Sequence, residues 1–128
     1  MAKIYSIFLD GILIGKTLFE FADVPMGVVH GKITFINTES PYEFIKSFCL
    51  KRNIPINHDE PNHKFIDTAI IPMLKVLKEN DKELKGWGGS ITVFEKENET
   101  EIQFGGINSE IMKSEFTHHY DEYYKDQL

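Results

Sequence analysis

Asp10-Gly11 stands between two alternating apolar runs, KIYSIFL (3–9) and ILIGKTLFEF (12–21), and no other feature restricts the fold of this chain as sharply. In the first run Ile4, Ser6 and Phe8 fall on one face and Tyr5, Ile7 and Leu9 on the other, a period of two that is rich in β-branched and aromatic types. Asp-Gly is favoured in two-residue hairpin turns because both central residues there take positive φ. The pattern predicts an N-terminal hairpin, with Gly15 marking a bulge or a close approach of backbone.

Further along, Pro25, Gly27 and Gly31 punctuate residues 22–32 as a loop, and GKITFIN (31–37) reads as a third strand. Ser40-Pro41-Tyr42-Glu43 is a helix start: Ser at the cap, Pro in the first helical position, Glu three residues after the cap. Ile45, Phe48 and Cys49 form the buried stripe of that helix, and Asn53 and Pro55 end it. NHDEPNH (57–63) reads as a polar loop. Residues 65–85 fit a helix by spacing, but Pro72 interrupts it, so an extended stretch leading to a strand at 74–79 is expected. GGSITVFEK (88–96) and TEIQFGG (100–106) are two more strands, and a helix is expected from about residue 108 to the end. The sum is an α+β fold: one globular domain over 1–128, with a mostly antiparallel sheet of five or six strands, one inserted helix and one C-terminal helix.

The net charge of −6 is unevenly distributed. Residues 1–94 hold eleven acids and eleven Lys or Arg, whereas residues 95–128 hold nine acids against Lys96, Lys113 and Lys125. Such a segment repels phosphate backbones and attracts basic surfaces, so direct nucleic-acid binding is not expected. No apolar run approaches the ~20 residues of a membrane span, and MAKIYSIFLDGILIG does not read as a signal peptide. A single cysteine, Cys49, rules out an internal disulfide and multi-Cys zinc patterns, which suits a cytoplasmic location.

The most unusual stretch is THHYDEYYKD (117–126). On one continuous helix Met112, Phe116, Tyr120 and Tyr123 would form the core stripe, with His118, Asp121, Glu122 and Lys125 opposite and Tyr124 at the edge. Three readings follow. The plainest is an amphipathic helix with a solvated acidic back. Metal binding by His118 with Asp121 or Glu122 would need a third ligand, such as His30, His58 or His63, and no HExxH occurs. The third is a partner-binding face, since tyrosine is common at binding hot spots and carboxylates steer a basic partner. HDEPNH (58–63) could offer acid–base chemistry but reads first as a solvated turn. No GxSxG, P-loop or dinucleotide fingerprint appears, and Gly86-Trp87-Gly88-Gly89 leads into a strand rather than a phosphate-binding helix.

Asp121-Glu122-Tyr123-Tyr124 resembles in kind the acid-plus-Tyr-Tyr helix of some nuclease-inhibiting bacterial immunity proteins. That resemblance implies a small cytoplasmic protein-binding module that neutralises a basic, nuclease-like toxin domain by occlusion, without a cofactor or a metal. The expected partner-binding residues are Glu115, Tyr120, Asp121, Glu122, Tyr124 and Asp126, and no residue is assigned a catalytic role. The alternative is a small enzyme or ligand-binding protein that uses a histidine–carboxylate site.

Overall fold

The computed structural model describes residues 3–125. β1 (Tyr5–Leu9) and β2 (Ile12–Thr17) form the expected hairpin. Leu9 pairs with Ile12 across Asp10-Gly11, whose φ values of 51° and 80° are those of a turn that matches the strand twist. A bulge interrupts the ladder between Ile7 and Phe8.

β3 (Phe21–Asp23) follows β2 along the same edge of β4 (Val28–Phe35): β2 pairs with Ile33–Phe35 and β3 with Val28–His30. The single strand expected at 12–21 is therefore two. Phe19 causes the break, with φ of 46° and its ring turned into the core. Gly31 makes the kink possible from the opposite strand, because a Cβ there would sit 2.9 Å from the Glu20 amide nitrogen and 3.0 Å from Phe19 Cα.

α1 (Pro41–Lys51) begins as its sequence predicts, with the Ser40 hydroxyl accepting from the Glu43 amide at 3.3 Å. A second acceptor comes from far along the chain. The Glu95 carboxylate takes the Ser40 hydroxyl at 2.8 Å and the Tyr42 amide at 3.0 Å, placing negative charge at the positive end of the helix.

Residues 57–63 are not a loop. β5 (Ile56–Glu60) and β6 (Phe65–Thr68) pair through a short 3-10 turn at Pro61–His63. The polar composition that suggested a loop belongs to a strand with one free edge, where charged side chains are normal. Pro72 keeps helix out of 65–85, and β7 (Leu74–Leu77) lies within the predicted strand. β8 (Gly88–Phe94) and β9 (Glu99–Gly105) complete nine strands among the described residues, against the five or six expected, and all the pairings are antiparallel.

The strand order is β5-β6-β8-β9-β4-β2-β1-β7, with β3 beside β4. An isolated bridge joins Ile71 to Gly89 of β8, with the Ile71 amide donating to the Gly89 carbonyl at 2.8 Å. The path from β8 round to β7 thus returns on itself. Inside it lie Ile7, Val29, Ile33, Val76, Ile91, Val93 and Ile102, all 1 % exposed or less. The C-terminal region is two helices rather than one, α2 (Ser109–Glu115) and α3 (Thr117–Tyr124), joined at Phe116.

Candidate partner-binding surface

α2 is capped by Asn108, whose side-chain oxygen accepts from the Ile111 amide at 2.8 Å. At its far end Phe116 leaves helical geometry (φ −112°, ψ 48°), and the Thr117 hydroxyl donates to the Lys113 and Ser114 carbonyls at 2.7 and 3.2 Å. The reason for the break is packing. The Phe116 ring joins Tyr5 and Phe19 in a buried aromatic trio, with centroids 5.1–6.1 Å apart. His119 then fastens α3 to the strand kink, donating from Nε2 to the Phe19 carbonyl at 2.8 Å. His119 was not among the candidate histidines, and nothing in its spacing distinguishes it from His118.

The break changes which side of α3 faces inward. Tyr123, expected on the core stripe, is 46 % exposed, whereas Tyr120 and Tyr124 pack against the core with their rings 4.7 Å apart. A stripe that assumes one uninterrupted helix cannot carry its phase through a non-helical residue. Asp121 and Glu122 are exposed. Lys125 donates to Glu122 at 2.6 Å, and this hydrogen bond with the lysine charge holds the Glu122 carboxyl below its usual range. Asp126 lies outside the described residues.

Glu115 is the clearest departure from expectation. Its side chain is 15 % exposed and accepts from the Tyr5 hydroxyl at 2.8 Å, with Lys3 and Lys78 at 3.4 and 3.7 Å. Burial, reinforced by this carboxylate, pushes the Tyr5 hydroxyl well above the usual tyrosine range. The carboxylate is engaged inside the fold, pinning α2 to β1 and β7. Beside it opens a cleft of about 560 Å³ walled by Leu18, Phe19 and Phe116, with Lys3, Glu20 and His118 at its polar rim.

The histidines of the alternative reading are dispersed. His30 on β4 stacks on Phe21 and lies 3.9 Å from Glu101, and His58 on β5 pairs with Glu60 at 2.9 Å. His63 is exposed in the 3-10 turn and His118 is exposed on α3. Among the described residues no three His, Cys, Asp or Glu side chains gather in a way that could hold a metal ion. Cys49 is fully buried on α1, and burial raises its thiol pKa, as suits a core residue.

One polar network was not anticipated. The Tyr42 hydroxyl donates to Asp59 at 2.5 Å, and Lys46 reaches both, at 3.1 Å to the phenol oxygen and 2.9 Å to the carboxylate. Burial raises the Tyr42 pKa, with Asp59 adding to it, while hydrogen bonding to Asp59 raises that of Lys46. For Asp59, burial alone would raise the pKa, but hydrogen bonds from Tyr42 and Lys46 and the lysine charge together lower it. All three groups hold their ordinary charge states and cancel, so the cluster staples α1 to β5. The Tyr42–Lys46 spacing of four was visible in the sequence as a helix pair, but Asp59 gave no sign.

Comparison with protein-family models, curated proteins and solved structures finds no match. No helix of the described residues is long and apolar enough to cross a membrane.

Proposed function

We propose that the chain is a cytoplasmic protein-binding module that docks a basic partner on its acidic, tyrosine-bearing C-terminal surface, as an immunity protein neutralising a nuclease-like toxin would. One observation carries the reading. The break at Phe116 leaves Asp121, Glu122 and Tyr123 exposed together, while Tyr120 and Tyr124 hold the helix to the body. A large amphipathic ring beside two carboxylates supplies both the anchor and the steering charge of a hot spot. The mechanism is occlusion, with Asp121 and Glu122 meeting Lys or Arg of the partner and Tyr123 entering a pocket on it. Glu115 has no part in this, because its carboxylate is engaged by Tyr5 and two lysines.

The test is surface-based kinetics at two salt concentrations with a partner captured from the native cell at low salt. Exposed charges are screened beyond about 8 Å at physiological ionic strength, so affinity should fall as salt rises. Asp121→Asn with Glu122→Gln should slow association, and Tyr123→Ala should speed dissociation by about 2 kcal/mol if Tyr123 is a hot spot. Binding that ignores salt and both variants would refute the reading.

A further inference from the structure

The sheet carries a second surface on its outer face, made by strands that take no part in α3. Across β3, β4, β9, β8 and β6 the register sets two outward rows side by side. One runs Lys32, Glu101, Thr92, Asp67 and the next Glu99, Phe94, Phe65. Phe21 flanks them from β3, 58 % exposed. All of these but Asp67, whose carboxylate accepts from the Thr92 hydroxyl at 2.6 Å, line an open trough of about 380 Å³. Its aromatic wall is Phe21, Phe65 and Phe94, the last two edge to face at 5.4 Å. Its carboxylates are Glu20, Glu99 and Glu101, and Lys32 is the single cation lining it among the described residues.

Aromatic rings and carboxylates side by side on a solvated sheet face match one side chain better than any other. A guanidinium is planar and weakly hydrated, so it stacks on a ring while its edge donates to a carboxylate. A lysine ammonium satisfies the charge but gains less from the ring. Glu99 and Glu101 are alternate residues of β9 and so point the same way, about 7 Å apart. That is also the distance between alternate side chains of any extended peptide.

We propose that this trough binds an extended, arginine-bearing segment of a partner protein, running along β9 with arginines at alternate positions. Successive guanidinium groups meet Glu99 and Glu101, and the one at Glu99 lies over the Phe94 ring directly across from it on β8, with Phe65 beyond. The proposal is independent of the α3 reading, since neither Asp121, Glu122 nor Tyr123 lines the trough.

The probe is a capped Arg-Thr-Arg-Thr-Arg peptide, with Lys-Thr-Lys-Thr-Lys as comparison, titrated into the full-length ¹⁵N-labelled protein at low salt. Amide shifts should centre on β9, β8 and β4, and the arginine peptide should bind about two- to fivefold tighter than the lysine one. Glu99→Gln with Glu101→Gln should weaken binding about three- to tenfold, the loss of two exposed ion pairs. Phe94→Leu should remove most of the arginine preference. Asp121→Asn with Glu122→Gln should leave affinity within about twofold, as the α3 charges lie on another surface. Shifts centred on α3, equal affinity for the two peptides, indifference to the Glu99 and Glu101 changes, or no saturable binding would each overturn the proposal. Unchanged dispersion in the variant spectra confirms that the fold is intact in every arm.

Discussion

Glu115→Ala measures whether this carboxylate belongs to the fold or to a docking surface, and its cost follows from the contacts. The Tyr5 side chain is almost wholly buried and its hydroxyl has Glu115 as its acceptor at 2.8 Å. Removing the carboxylate leaves a buried phenol without that partner, a loss of about 1–3 kcal/mol. The packed stem of the side chain adds about 1 kcal/mol. Lys3 and Lys78 are 51 % and 27 % exposed and stay hydrated, so their pairs contribute little. The expected total is about 2–4 kcal/mol, which for a domain of this size lowers the melting midpoint by roughly 6–15 °C. Tyr5→Phe should cost less, about 1–2 kcal/mol, because Glu115 keeps both lysines. The decisive quantity is the coupling in the double-mutant cycle, about 1.5–3 kcal/mol for a hydrogen bond to a charged acceptor. Urea titrations followed by circular dichroism, with the slope unchanged across the set, give all four stabilities. A loss under about 0.5 kcal/mol for Glu115→Ala, or additivity within that margin, would refute the structural role and return Glu115 to the partner-binding set.

Gly11→Val forces a β-branched residue to a φ of 80° and should destabilise the hairpin by at least about 1–2 kcal/mol, read as a lower urea midpoint. Tyr123→Ala should leave the thermal midpoint within a few degrees, roughly the effect of an exposed substitution, whereas Tyr124→Ala should lower it clearly, the reverse of what a continuous helix predicts. The Asp59 carboxyl titrates below its unfolded value, so its stabilising effect is complete above a pH of about 4 and is lost as pH falls through the lower folded value. Asp59→Asn should therefore flatten the acid limb of the stability–pH curve, and an unchanged limb would count against the Tyr42–Lys46–Asp59 staple.

What could be read from the sequence was whatever is set locally. The Asp10-Gly11 turn, the Ser40 cap and the strands around β8 and β9 each depend on residues a few positions apart, and each formed as expected. What could not be read was set by partners distant in the chain. Phe19 turns inward and Phe116 breaks its helix because they meet each other and Tyr5, and neither shows this among its neighbours. The same holds at the charged positions. Glu115 looked like any carboxylate on an acidic segment until Tyr5, Lys3 and Lys78 were brought to it, and Asp59 looked like part of a turn until Tyr42 and Lys46 claimed it. The acidic bias of residues 95–128 was plain, yet the fold divides it between the outer face of β9 and the surface of α3.

The position of β9 has a consequence for how the chain is made. It is the last strand in sequence but lies near the middle of the sheet, between β8 and β4, pairing Val29 with Phe104. No earlier strand pairs with both of them, so on the ribosome the sheet stays open between β4 and β8, its two sides linked only the long way round through β7 and the Ile71–Gly89 bridge. The ring can close only after Gly105 has left the exit tunnel, and contacts of such long sequence separation place folding among the slower small domains, in milliseconds to seconds. During that interval β4 and β8 present bare, apolar edges, which makes the nascent chain, rather than the finished protein, the form most in need of a chaperone.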